Sequence, residues 1–296
     1  MLGRESGVKR SALPEDGERV AAPPRGKGSR MRFSDKWPLK SGFASRALLV
    51  MAAAAIAFLP IVIVRAAEDP NILWKIVNGK CVVDQKSFGH PAPCARVDLG
   101  GGYAILKDIV GETQYLLIPT TRITGIESPA LLQPGTPNYF AQAWSQTPLI
   151  AARLGHFLPR VDLSLAINSV HGRTQLQLHI HMDCISEATQ AALMRHMNEI
   201  TPAWTSFPEP LHGHPYQVMR IMGESLGATS PFQLLADGLP GASGQMGAYT
   251  LVLVGAEFPA AGPGFILLAG KADLARADFG SGEDLQDHQC ALGHLP

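Results

Sequence analysis

The apolar positions of the chain fall into three regimes. Up to residue 46 they show no period, and Met1–Arg32 is rich in Arg, Gly, Pro and Ser, the composition of a disordered segment. Ala47–Val64 (ALLVMAAAAIAFLPIVIV) then runs for 18 residues without a charge. As a helix this run would reach about 27 Å, just enough for a bilayer core of about 30 Å. Beyond Glu68 the pattern is that of a folded domain, with short alternating runs among a few helical ones.

Inside residues 68–296 the spacing predicts a short helix at Asn71–Asn78, then strands at Tyr103–Asp108 and Gln114–Pro119 about a turn at Val110-Gly111-Glu112. A polar, Pro-rich stretch covers Thr120–Pro137. Helical spacing returns at Tyr139–Leu154 and Glu187–Ile200, and alternation at Leu163–Asn168 and Leu176–Met182. The final third offers a Gly-rich loop, strands at Tyr249–Val254 and Phe265–Leu268, and a short helix near Asp284–Gln289. Strands and helices mix without regular βαβ alternation, which predicts an α+β domain.

Charge sharpens this division. The chain is formally neutral, with 25 basic and 25 acidic residues. Residues 1–46 nevertheless sum to +6, and residues 65–296 to −6. Basic residues Lys36, Lys40 and Arg46 ahead of the apolar run predict a cytosolic N-terminus and an exported domain. A cleaved signal peptide, with Val64-Arg65-Ala66 at the cleavage site, is the alternative, but the run exceeds the usual length of one. The acidic larger part excludes a dedicated nucleic-acid binder.

Four cysteines and no CxxC argue against a zinc ribbon or a thioredoxin-type site. In an oxidising compartment they predict two disulfides, Cys81–Cys94 closing a local loop and Cys184–Cys290 tying mid-domain to C-terminus. Four buried free thiols are the alternative.

The chemistry concentrates in Asn168–Met182 (NSVHGRTQLQLHIHM). In a strand, Gln177, His179 and His181 share one face and Leu178, Ile180 and Met182 the other. A polar row of that kind has little purpose in packing. It could be a nucleophile with its orienting partner, a metal pair, or a surface coincidence. A zinc site needs a third ligand; Asp183 is read as out of phase, and His171, His212 and His214 are unforced. Upstream, Arg173 and Thr174 suit phosphate oxygens.

The row Gln177-Leu-His179-Ile-His181-Met182 resembles the histidine-triad (HIT-like) superfamily, with Gln in place of the first histidine. SLAINSVHGRTQLQLHIHMDCI, KDIVGETQYLLIPTTRITGIESPALL, HGHPY and the terminal DHQC, in that order, resemble the bacterial CDP-diacylglycerol pyrophosphatases over about Ile72–Cys290. The resemblance implies a HIT-like fold, an antiparallel sheet with flanking helices, behind a single transmembrane anchor in the inner membrane, with the domain in the periplasm. It implies hydrolysis of CDP-diacylglycerol to CMP and phosphatidate without a metal or other cofactor. In that comparison His179 is the nucleophile and His181 its orienting or phosphate-binding partner. Asn168, Thr174 and Gln177 hold the phosphate, Arg173 or Lys107 neutralises the second phosphate, and Asp108 with Ile109 holds the ribose. Gln114 and His214 are further candidates, and His288 in DHQC is open between an active-site and a structural role. Two other readings stand beside it: a hydrolase or transferase of soluble nucleotides, and an exported protein binding metal through His179 and His181.

Overall fold

A computed structural model describes residues 69–294 of the 296-residue chain. The apolar run Ala47–Val64, with its expected bilayer span, lies outside the described residues, as does the basic segment before it. Among the described residues no helix is long and apolar enough to cross a membrane.

The domain is α+β, built on one antiparallel sheet. Its strands are β1 (Arg96–Asp98), β2 (Tyr103–Lys107), β3 (Tyr115–Pro119), β4 (Leu163–Ile167), β5 (Ile180–Ile185), β6 (Thr205–Ser206), β7 (Tyr216–Met222), β8 (Tyr249–Phe258), β9 (Gly262–Lys271) and β10 (Gln286–Asp287). Their spatial order is β1-β2-β3-β5-β4-β8-β9-β7-β6, and β10 pairs with the far end of β5. Every pairing is antiparallel.

The helices are α1 (Ile72–Ile76), α2 (Val82–Phe88), α3 (Tyr139–Gln146), α4 (Pro148–Leu154), α5 (Glu187–Arg195) and α6 (Pro231–Gly238). A π-turn at Val77–Cys81 joins α1 to α2, so helical structure runs past the expected end at Asn78 until Gly89, in the left-handed region at φ +71°, stops it. The expected single helix Tyr139–Leu154 is two. Pro148 has no N–H to continue α3 but suits the first turn of a new helix. Side-chain caps from Asn138 and Ser186 start α3 and α5. α5 ends at Arg195, short of Ile200.

Three further expectations change. The strand expected from Leu176 starts only at Ile180. The N–H groups of Leu176 and Leu178 donate to Pro70 and Ile123 carbonyls, in irregular segments rather than a neighbouring strand. The helix expected near Asp284–Gln289 is instead a 3-10 turn (Gly282–Leu285) leading into β10. β7, too, falls where no strand was predicted.

One face of the sheet is covered by α3, α4 and α6, and carries a continuous core that includes Leu117, Ile180, Met182, Leu165 and Leu253 packed on Phe140, Ile150 and Phe232. The opposite face is divided. At one end Ala104, Leu106, Leu116 and Ile118 pack on Leu73, Val77 and Val82. At the other, Ala166, Val252, Val254 and Leu268 pack on Leu193 of α5 and on Phe207. Both expected disulfides are formed: Cys81–Cys94 beneath the first group, and Cys184–Cys290 between β5 and the C-terminal segment.

Candidate active site

The site lies in the gap of the divided face. One row of directly opposed residues crosses the sheet: Leu106, Leu116, His181, Ala166, Val252 and Leu268. Opposed residues share a face, so His181 is the one polar side chain between two apolar clusters. Above it opens a cleft of about 900 Å³.

His179, at the entry to β5, is buried against the cleft wall. Its Nδ1 lies 2.7 Å from the Gln177 carbonyl oxygen. A carbonyl can only accept, so Nδ1 carries the proton and Nε2 keeps its lone pair. Burial, reinforced by neighbouring His181, pushes the His179 pKa down to about 4. The two rings meet edge to face, with centroids 4.8 Å apart.

His181 Nδ1 stands 3.1 Å from Glu283 Oε2 and 3.1 Å from Gln114 Nε2, while its Nε2 is buried without a protein partner. Burial, with the charge of nearby His288, holds this imidazole too below its ordinary value. The buried ring has little water to stabilise its cation.

Asn168 is spent on building this arrangement. Its Oδ1 accepts from the N–H groups of Gly282 (2.9 Å) and Glu283 (3.3 Å), and its Nδ2 donates to Glu283 Oε1 (2.9 Å). It thereby fixes the carboxylate that faces His181. Lys107 donates to the carbonyls of Asp108 (2.8 Å) and Gly111 (3.0 Å), leaving one of its three N–H groups for the cleft. Burial lowers its pKa. Asp108 and Ile109 stand at the mouth, Ile109 97% exposed, and the Thr174 hydroxyl lies open on the wall.

The cleft therefore gathers His179, His181, Gln114, Asn168, Lys107, Asp108, Ile109, Arg173 and Thr174. Arg173 arrives with its charge already matched, since its guanidinium forms two bonds to Glu127 at 2.5 and 2.8 Å. Two candidates lie elsewhere. Gln177 is fully buried off the cleft, and its amide donates to the carbonyls of Pro119 (3.1 Å) and Thr121 (2.9 Å). It fastens the segment after β3 to the approach of β5, which leaves no amide N–H for a phosphate. His214 pairs with Asp278 at 3.1 Å in a separate hollow beside Lys271 and Arg276.

Asp183 is in phase with His181, two residues along the same strand, and not out of phase as its reading from the sequence had it. It is fully buried, accepting from Thr113 Oγ1 (2.6 Å) and the Cys184 N–H (2.9 Å). Its other oxygen meets His288 Nδ1 at 2.8 Å, and His288 lines the cleft. The hydrogen bond to Asp183 raises the His288 pKa above its ordinary value. Glu283 had no signal in the sequence: it lies 102 residues from His181 and belongs to no motif.

A neutral imidazole with a free lone pair, a second imidazole held by a carboxylate, and hydroxyl and ammonium donors around a water-accessible cleft make the centre of a hydrolase. The family model for CDP-diacylglycerol pyrophosphatase matches residues 68–294. A Yersinia pestis protein named CDP-diacylglycerol pyrophosphatase is 45% identical over 230 residues, which is 77% of this chain and 88% of that relative. The chain belongs to the CDP-diacylglycerol pyrophosphatase family.

Proposed function

We propose that this chain's hydrolysis of CDP-diacylglycerol to CMP and phosphatidate runs through His179 as nucleophile. Nε2 of His179 attacks the CMP phosphorus. The bond from that phosphorus to the bridging oxygen breaks, and its electron pair leaves on phosphatidate. Water then attacks the cytidylyl-histidine; an O–P bond forms, the P–N bond breaks, and CMP departs.

The observation that carries this reading is the 2.7 Å bond from His179 Nδ1 to the Gln177 carbonyl. It fixes the tautomer whose Nε2 can attack, and it disperses the positive charge the ring gains when Nε2 is substituted. The depressed pKa keeps that lone pair available across the neutral range. Thr174 and the free N–H of Lys107 bind phosphate oxygens, and Asp108 with Ile109 faces the ribose. Arg173 and Asn168 act at one remove, through Glu127 and Glu283. Kinship with the HIT-like superfamily is supported by the alternating Gln-x-His-x-His run, in which Gln177 has taken a structural duty at the first position.

Membrane residence belongs to the same reading. Ile72, Ile109 and Val110 form an exposed apolar rim on the cleft. Asp69, also on its wall, lies five residues after Val64. A span at residues 47–64 would hold the domain at the bilayer, converting substrate capture into a surface encounter. Two disulfides fit an oxidising compartment, and the periplasmic face of the inner membrane satisfies both conditions.

The test uses the full chain in detergent with labelled CDP-diacylglycerol. Wild type should release CMP and, on rapid quenching, carry the mass of one cytidylyl group; His179→Ala should do neither. Wild-type turnover by His179→Ala would sink the assignment.

A further inference from the structure

The proposed mechanism leaves two protons unassigned: one for the departing phosphatidate oxygen, and one taken from the attacking water. We propose that His288, held by Asp183, is the catalytic acid and base that moves both. This rests on His179 being the nucleophile.

Four constraints converge on His288. Its Nδ1 is bonded to Asp183 Oδ2 at 2.8 Å, so the N–H of its other nitrogen, Nε2, is left free of that carboxylate. Asp183 cannot swing away, since it is fully buried and held by Thr113 and the Cys184 N–H. The backbone is fixed by β10, where Gln286 opposes Ile185 and Asp287 opposes Cys184, and by the Cys184–Cys290 disulfide just beyond. From the other side, Gly111 at φ +68° packs so closely that a Cβ there would come within 2.5 Å of the His288 Cβ, while the Glu112 N–H donates to the His288 carbonyl at 2.9 Å. A surface histidine needs none of these. The half-buried ring faces the cleft that His179 and His181 also line.

The carboxylates around it all act in one direction. With the direct bond to Asp183, the charges of Asp183 from β5, Glu283 from the preceding 3-10 turn and Asp108 just after β2 favour the imidazolium and outweigh the burial that opposes it. Lys107 and His181 are the neighbouring groups of basic type, and both are shifted towards their neutral forms by burial. One cleft thus holds an imidazole pushed towards its neutral form for attack and another pushed towards its protonated form for transfer, the separation that acid–base chemistry requires.

In the first step, as the phosphorus–oxygen bond breaks, the Nε2 proton of His288 passes to the bridging oxygen, leaving phosphatidate protonated and His288 neutral. In the second, neutral His288 takes a proton from the attacking water as its oxygen bonds to phosphorus and the P–N bond breaks. His288 ends as it began, and one water is consumed.

The pH dependence of kcat/KM separates the roles. Wild type should give a bell, with an acid limb near pH 4 from His179 and a basic limb from His288 lying above the ordinary histidine range. His288→Gln should lower kcat by about 10²- to 10⁴-fold, change KM little and lose the basic limb. Asp183 is a positioning residue, so Asp183→Asn should move the basic limb to lower pH. With a nitrophenyl ester of CMP, whose leaving group needs no proton, His288→Gln should still form the cytidylyl-enzyme and accumulate it. If a variant fails to fold, an NMR titration of the wild-type imidazoles decides: His288 must titrate on the basic limb. A His288 that titrates elsewhere, or His288→Gln with wild-type kcat and an intact basic limb beside an inactive His179→Ala, overturns the proposal. An active His179→Ala overturns the mechanism beneath it instead.

Discussion

At the scale of single residues, His181 shows what the site costs the fold. It occupies a position whose row neighbours are Leu116 and Ala166, with its Nε2 buried and unpartnered. A leucine there would join the two apolar clusters. His181→Leu is therefore expected to leave the melting temperature unchanged or raise it by up to about 4 °C, while lowering turnover at least tenfold. Calorimetry beside a CMP-release assay measures both, and a clear drop in melting temperature would contradict the account. The same burial fixes the direction of acid sensitivity. His179 has a folded pKa below its unfolded value near 6.5, so the stability tied to its neutral form is intact above pH 6.5 and is lost as pH falls towards 4. Urea midpoints should decline across that window, and less steeply in His179→Gln.

Elements explain why the site was only partly legible. Alternation alone located β2, β3 and β4, and it separated the core-facing Leu178, Ile180 and Met182 from the two histidines. Those are local signals, carried by neighbours two apart. Gln177 shares the alternation but not the cleft, because the chain before Ile180 bonds to loops and turns its amide towards Pro119 and Thr121. Periodicity cannot report that departure. Glu283 and His288 lie about 100 residues beyond β5 in the chain and reach it through β10, two residues long, in a segment whose polar spacing imitates a helix. The Cys184–Cys290 link is what makes so short a strand dependable. It closes a loop across 106 residues, and its loss should cost roughly 4 kcal/mol. Cys290→Ser should also reduce turnover beyond what partial unfolding explains, because the segment carrying His288 is freed. Activity measured well below the variant's melting temperature distinguishes the two effects, and turnover equal to wild type there would refute the coupling.

For the whole molecule, the proposed reading puts the lipid end of the reaction at the rim. Val110 and Ile72 are exposed apolar side chains at the mouth and contribute little to the core. Replacing both with serine should raise KM several-fold for CDP-diacylglycerol in vesicles, with no change in melting temperature and little change for the soluble nitrophenyl ester. Equal losses on both substrates would mean that the rim serves the nucleotide rather than the bilayer.

The divided face of the sheet has a consequence for variation. The cleft floor is backbone held by hydrogen bonds on both sides of β5, whereas its mouth is made by the chain entry, the β2–β3 turn and the segment before β10. Loop changes can reshape the mouth without disturbing the floor. On the proposed reading, headgroup recognition is thus anchored in hydrogen-bonded sheet, and tolerance for different acyl chains is left to the loops.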